Sequence, residues 1–228
     1  MKKIAIIPAR AGSKRFPRKN ITDFFGKPII SYTINAALNA NIFEKVIVST
    51  EDSEIAYIAE EYGAEISTRP DELASDYATV VDVCLYELDK EEQNGNVYDI
   101  LCCLYATAPL RNEKDIVKTV QMVQSKDCDF ANAVTDFHFP AYQALKSNES
   151  GFLEAMWPDS ISKPSHDMPR LLVDNGSTYV SLVSEFRKVK SFYGKRHKGY
   201  IMPRIRSVDL DYPEDLEIAK YFYNRVGI

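Results

Sequence analysis

Histidine and cysteine are both sparse in this chain, with three and four residues respectively among 228. Neither type shows a metal-ligand spacing: Cys84, Cys102, Cys103 and Cys128 are scattered apart from one adjacent pair, which argues against a zinc site. The pair lies inside Ile100-Leu101-Cys102-Cys103-Leu104 and reads as buried strand packing, with free thiols suited to a reducing cytosol. His138, His166 and His197 read as polar loop or packing residues. No stretch approaches 18 consecutive apolar residues, and the N-terminal apolar run is too short for a secretory core, so a soluble, cytoplasmic protein is expected, without membrane contact. Basic residues are outnumbered, 28 Lys and Arg against 33 Asp and Glu, which argues against a general nucleic-acid binder. The nine glycines form neither a Gly-x-Gly-x-x-Gly dinucleotide fingerprint nor a Walker A loop.

What is present is concentrated at the start. An apolar run, Ile4-Ala5-Ile6-Ile7, empties into a loop carrying Arg10, Lys14, Arg15, Arg18 and Lys19, five cations within ten residues. Small residues among them, Ala9, Ala11, Gly12 and Ser13, let backbone N–H groups approach an anion, and Gly12 also tolerates positive φ. Open α/β sheets bind ligands at the carboxyl ends of their strands, so a nucleoside triphosphate suits this loop, although short basic runs are also commonly plain solvated surface.

The first half alternates strand and helix: strands at 3–9, 45–49, 64–66 and 98–104, and helices at about 28–40, 52–62, 78–90 and 112–125. That order predicts an α/β fold with a mostly parallel sheet, and 45% hydrophobic residues suffice for one domain over 1–228. After a strand candidate at 129–134, a Pro-, Ser- and His-rich stretch at about 135–172 reads as an excursion from the sheet. Apolar Tyr179–Leu182, a strand at 199–202 and a helix at 213–225 complete the chain.

A second anchor is Ser207-Val208-Asp209-Leu210-Asp211. Carboxylates at i and i+2 of an extended chain share a face, so Asp209 and Asp211 can reach one Mg²⁺, an ion that takes one or two carboxylates plus waters and phosphates. Taken alone the pair could equally be a solvated strand end leading into a helix N-terminus.

Ile7-Pro8-Ala9-Arg10-Ala11-Gly12-Ser13-Lys14 and Pro17-Arg18-Lys19-Asn20 resemble the signature of the acylneuraminate cytidylyltransferases, and further blocks follow in the same order. They are Phe25-Gly26-Lys27-Pro28, Val46-Ile47-Val48-Ser49-Thr50, Arg69 through Asp76, Thr107-Ala108-Pro109-Leu110-Arg111, Asp174-Asn175-Gly176 and the acidic motif. The resemblance implies a three-layer, Rossmann-like nucleotidyltransferase fold, a homodimer whose arm exchanges within the excursion, and transfer of CMP from CTP to a nine-carbon 2-keto acid sugar. On that footing Arg10 and Lys19 serve the triphosphate, joined by Ala9, Gly12, Ser13, Lys14 and Asn20; Arg69, Ala78 and Thr79 face cytosine; and Asp209 with Asp211 holds Mg²⁺. Asp211 could also take the sugar hydroxyl's proton.

On the sugar side the chain departs from the N-acetylneuraminate pattern, with Tyr105-Ala106-Thr107-Ala108-Pro109 in place of Gln-Pro-Thr-Ser-Pro. This segment is closer to the pseudaminic acid branch, and an aromatic ring suits a less hydroxylated sugar. Tyr105, Thr107 and Asn175 are expected at the sugar, with Lys146, Lys163, Arg170, Arg204 or Arg206 as the counter-ion to its carboxylate, Lys146 and Arg170 foremost. Alternatives are a cytidylyltransferase for another 2-keto-3-deoxy sugar acid and a nonenzymatic CTP-binding regulator.

Overall fold

The computed structural model describes residues 1–226. Its elements in chain order are β1 (Lys3–Pro8), β2 (Asp23–Phe24), β3 (Lys27–Pro28), α1 (Ile29–Asn39), β4 (Lys45–Thr50), α2 (Ser53–Glu61), β5 (Glu65–Thr68), α3 (Val80–Gln93), β6 (Ile100–Leu104) and α4 (Glu113–Gln124). There follow β7 (Phe130–Asp136), β8 (Leu145–Ser147), β9 (Leu153–Ala155), β10 (Leu172–Leu182), α5 (Val183–Val189), β11 (His197–Ile201) and α6 (Pro213–Val226). Seven strands form one sheet in the order β11-β7-β10-β6-β1-β4-β5. Every neighbouring pair is parallel except those of β10, which runs antiparallel to both β6 and β7.

Strand alternation builds the three layers. Ala5 and Ile7 of β1 pack with Ile30 and Ile34 of α1, Ile55 of α2, and Ile116 and Val120 of α4. Ile4 and Ile6 point the other way, onto Cys84 and Leu88 of α3 and Phe186 of α5. The four cysteines are free and buried, all of them in these two cores, as packing residues. Phe192, one of the aromatics of the C-terminal half, stacks into the second core beside Phe186 and Tyr179.

Helix starts follow their caps. Asp52 accepts from the backbone of Glu54 and Ile55, so α2 begins one residue later than the pattern suggested. Thr79 and Asp82 form a capping box that starts α3 at Val80 and not at 78, and Asn112 with Asp115 does the same for α4. The hairpin β2–β3 turns on Phe25 and Gly26, at φ 52° and 76°, the left-handed pair that a two-residue turn between antiparallel strands requires.

The excursion leaves the sheet after Asp136, which pairs with Leu172, and carries the small β8–β9 hairpin. Three features differ from expectation. β10 is eleven residues long and begins at Leu172, where only Tyr179–Leu182 was apolar enough to signal; Asp174, Asn175 and Ser177 interrupt the apolar pattern before Tyr179. The helix α5 follows it directly, and the strand expected at 199–202 starts earlier, at His197.

Candidate active site

Strand order reverses beside β1: β4 and β5 lie to one side of it, β6 to the other. Loops leaving the carboxyl ends of β1 and β6 therefore diverge and open a crevice, the position where such sheets bind ligands. A cavity of about 430 Å³ occupies it, lined by Arg10, Ser13, Lys14, Arg15, Lys19 and Asn20 from the first loop and by Tyr105, Ala106 and Thr107 from the second. Arg69, Ala78 and Thr79 close one side, and Asp211 the other.

The basic loop is held by side chains more than by its glycine. Asn20, buried, donates its Nδ2 to the Arg10 carbonyl at 2.8 Å, Ala11 N–H donates to Glu51 Oε1 at 2.8 Å, and Ser13 N–H donates to the Ala11 carbonyl at 2.8 Å. Ala9 is buried with its N–H on the Ser49 carbonyl. Three of the loop's amides are thus committed internally. Gly12 is exposed and does not use the left-handed region; Arg18 does, at φ 58°, where the chain turns toward Lys19.

Loop cations are paired across the crevice. Arg10 donates to the Ser75 carbonyl at 3.1 Å and to Asp76 at 3.2 Å, and Lys14 pairs with the same carboxylate. Side-chain hydrogen bonding from Lys14 and the charges of both cations hold Asp76 below the usual carboxylate range. Lys19 donates to the Leu210 carbonyl at 2.8 Å and to Asp211 Oδ1 at 3.0 Å, while Arg15 reaches the same oxygen at 2.8 Å.

The acidic segment is irregular, and its aim is set by its middle residue. Leu210 is fully buried with Phe24, Leu110 and Ala219 of α6, and its N–H bonds the Thr107 carbonyl at 3.1 Å. Asp209 and Asp211 flank that anchor. Thr107 Oγ1 donates to Asp209 Oδ1 at 2.6 Å, and a Cβ at Gly176, which has φ 67°, would stand 2.7 Å from Asp209 Oδ2. Burial raises the Asp209 carboxyl to about 6, partly offset by the Thr107 hydroxyl and the Lys19 charge.

Tyr105 packs its ring 5.2 Å from that of Tyr179, whose hydroxyl donates to Asp174 Oδ2 at 2.8 Å; Tyr193 reaches the same oxygen. Burial pushes the Tyr105 hydroxyl well up, so it stays protonated.

The cavity brings together Arg10, Ser13, Lys14, Lys19, Asn20, Arg69, Ala78, Thr79, Tyr105, Thr107 and Asp211. Other expected contacts lie elsewhere. Asn175 is buried, with its amide spent on Ser207 at 3.1 Å and on Ser177 Oγ at 2.7 Å. Lys146 sits on the exposed β8–β9 hairpin, 3.4 Å from Glu154, and Arg170 forms a two-bond pair with Asp136 at 2.7 and 2.9 Å. Lys163 lines a separate cavity within the excursion. Arg206 is taken up by buried Asp115, and Arg204 by no closer partner than the Phe137 carbonyl at 3.5 Å. Lys146, Arg170 and Arg206 are thus each committed to a carboxylate.

Two residues gained importance only in three dimensions. Arg111 is 2% exposed and ties the β6 loop to its surroundings, donating to the Ser177 carbonyl at 2.6 Å and Thr33 Oγ1 at 2.6 Å. Burial lowers its pKa to about 10. Its place at the end of the Thr107–Arg111 block was the only signal. Glu51, at the carboxyl end of β4, bonds both Ala11 and Arg69, and nothing in its sequence surroundings marked it beyond a helix start.

A mostly parallel sheet whose strand order reverses at a cation-lined crevice, with Asp211 on its wall and Asp209 part-buried behind it, defines a nucleotide-binding α/β enzyme. Comparison with known proteins gives the family: the Cytidylyltransferase family model matches residues 4–228, and the chain belongs to that family. It is a nucleotidyltransferase. It is 38% identical over 226 residues to the pseudaminic acid cytidylyltransferase of Campylobacter jejuni serotype O:2, covering 98% of this chain and 97% of the relative. The CMP-N,N'-diacetyllegionaminic acid synthase of Legionella pneumophila is 31% identical over 236 residues, covering 96% and 95%. In fold the chain is similar to a CMP:2-keto-3-deoxy-manno-octonic acid synthetase complexed with CTP, with a TM-score of 0.73 at 18% identity, covering 99% of this chain and 100% of that one. The expected α/β fold with its mostly parallel sheet is therefore the observed one. No helix among the described residues is long and apolar enough to cross a membrane.

Proposed function

We propose that this enzyme transfers CMP from CTP to the anomeric hydroxyl of a nine-carbon 2-keto acid sugar, releasing pyrophosphate, with pseudaminic acid as the favoured acceptor. The observation that carries the reading is the meeting of Lys19 with Asp211 at 3.0 Å on the wall of a cavity that also holds Arg10 and Tyr105. On this reading phosphate binding and metal binding share one crevice.

The sugar hydroxyl attacks the α-phosphorus, a new P–O bond forms, and the bond to the β-phosphate breaks. Arg10 and Lys19 neutralise charge on the phosphates and the departing pyrophosphate, so no covalent enzyme intermediate is needed. Arg10 and Lys14 exchange Asp76 for phosphate oxygens as the nucleotide enters. Arg69 reads the cytosine, with Ala78 and Thr79 beside it. Asp211 takes the hydroxyl proton. Tyr105 and Thr107 line the acceptor side, where an aromatic wall suits a deoxygenated sugar, and the pseudaminic acid names of the relatives point the same way.

The donor set fits Mg²⁺. Asp209 and Asp211 offer only hard oxygens, and no group of three or more ligating side chains gathers among the described residues, so the ion would rely on phosphates and water for its other ligands. When bound there, Mg²⁺ supplies charge neutralisation at the triphosphate.

A homodimer belongs to the same reading. Phe139, Phe152 and Leu153 of the excursion are 84%, 72% and 66% exposed, more apolar surface than a lone arm should leave in water. Lys146 and Arg170 ride on that arm, so a second subunit can carry them to a sugar carboxylate that they do not reach within one chain.

The test is pyrophosphate release from CTP with Mg²⁺, run with pseudaminic, legionaminic and N-acetylneuraminic acids and an eight-carbon acid as control. Release with pseudaminic acid alone is expected. Release only with the eight-carbon acid, or with none, would overturn the acceptor or the reaction respectively.

A further inference from the structure

Glu51 stands outside the cavity lining, yet it touches both halves of the nucleotide site. Its Oε1 accepts the Ala11 N–H at 2.8 Å and its Oε2 faces Arg69 Nε at 3.2 Å. The backbone on either side of it is pinned: Arg69 N–H donates to the Thr50 carbonyl at 3.2 Å, and Asp52 N–H to Thr50 Oγ1 at 3.1 Å. Glu51 is the first residue after β4, and the bonds at Thr50 and Asp52 hold it at the strand's end.

Arg69 needs such a partner. Its side chain is 3% exposed, its Nη1 has only a 3.5 Å contact to the Leu73 carbonyl, and its Nη2 is buried without a partner beside the cavity. A guanidinium held at Nε alone keeps its Nη groups for a ligand, and a buried orphan donor is costly until something accepts from it. Burial works against this cation, and the nearby Glu51 carboxylate works for it.

Ala11 has the opposite problem. A carboxylate inside a phosphate loop repels anions, so its presence there calls for a compensating role. By occupying the Ala11 N–H it fixes the turn closed by Ser13 N–H on the Ala11 carbonyl, and with it the path of Ser13 and Lys14 into the cavity.

We infer that Glu51 is a positioning residue that couples base recognition by Arg69 to the geometry of the phosphate-binding loop. The inference rests on the nucleotide reading of the cavity. One carboxylate, with one oxygen for each side, holds the two subsites in register, so that the base and the phosphates are read at a fixed separation.

The test separates the two ends of the nucleotide by titrating the full-length enzyme calorimetrically with CMP and, separately, with pyrophosphate, in Mg²⁺ buffer. Glu51→Gln keeps the shape and removes the charge; it is expected to weaken both ligands by about fivefold or more, since charge-assisted hydrogen bonds are lost on both sides. Arg69→Lys is expected to weaken CMP and leave pyrophosphate unchanged. In the double variant CMP affinity should match that of Arg69→Lys alone, because coupled residues are not additive. Glu51→Ala is measured beside it, with thermal unfolding as the check that each variant is folded. Folded Glu51 variants that weaken CMP but not pyrophosphate, or neither, would overturn the coupling. Wild-type enzyme that binds neither ligand would overturn the nucleotide reading, and the coupling with it.

Discussion

Lys19 Nζ lies 3.0 Å from Asp211 Oδ1, a hydrogen bond between positions 192 residues apart. The contact joins the first loop of the chain to the segment leading into its last helix, and it places a cation where phosphates and a metal ion would meet. Lys19→Met keeps the stem and removes the charge. Arg15 continues to pair with Asp211 at 2.8 Å, so the carboxylate is not left alone and the fold should hold. Turnover should fall by about 10² to 10³, the cost of removing one preorganised charge from a phosphoryl-type transition state. Pyrophosphate release at saturating CTP measures it; turnover within a few-fold of wild type would remove Lys19 from the reacting end.

The sequence carried this site unevenly. The basic loop was legible because its charges are local, and Asp209 and Asp211 because carboxylates at i and i+2 stand out, although the segment carrying them is irregular and only Asp211 lines the cavity. The counter-ions were not. Asp76 meets Arg10 across 66 positions, and Arg111 meets Ser177 across 66 more, distances over which no local pattern operates. β10 was half hidden for a related reason: its residues before Tyr179 serve polar contacts, so Asp174, Asn175 and Ser177 erase the apolar alternation that announces a strand. Lys146 and Arg170 lie near the right segment in sequence, and the fold gives them Glu154 and Asp136 instead. Long side chains pair with whatever acid is nearest in space, which the sequence order does not disclose.

On the proposed function, Asp76 competes with the nucleotide. It pairs with Arg10 and Lys14, and these ion pairs would have to break before either cation turned to a phosphate. Asp76→Asn should therefore tighten CTP, by about two- to fivefold at low salt, because exposed pairs are weak. Calorimetric titration at two ionic strengths reads the effect, which should shrink as salt rises. Weaker binding would instead mean that Asp76 steers Arg10 into place.

Gly176 is where backbone conformation and the acidic pair touch. At φ 67° an alanine is strained, and its Cβ would meet Asp209 Oδ2 at 2.7 Å. Gly176→Ala is expected to destabilise the protein by about 1–3 kcal/mol and to push the Asp209 carboxylate off its bond to Thr107. The Mg²⁺ concentration giving half-maximal pyrophosphate release should rise. An unchanged Mg²⁺ titration in a folded variant would detach Asp209 from the metal.

Asp52 ties stability to pH. Burial alone would raise its pKa, but the N–H of Ile55, the Arg18 guanidinium and the N–H of Glu54 outweigh that and hold it below the usual value. A carboxyl with a depressed folded pKa binds protons more readily in the unfolded chain, so its stabilisation is complete above the unfolded value of about 3.9 and drains away as pH falls through the folded one. Asp52→Ala removes the cap of α2 and the 2.8 Å pair with Arg18, and should cost about 1 kcal/mol at pH 7, as losses of such caps do. Denaturant unfolding of both proteins from pH 7 to pH 3 checks it: the gap between them should be constant at neutral pH and close in acid. A gap that widens in acid would give Asp52 the opposite shift and dissolve the cap argument.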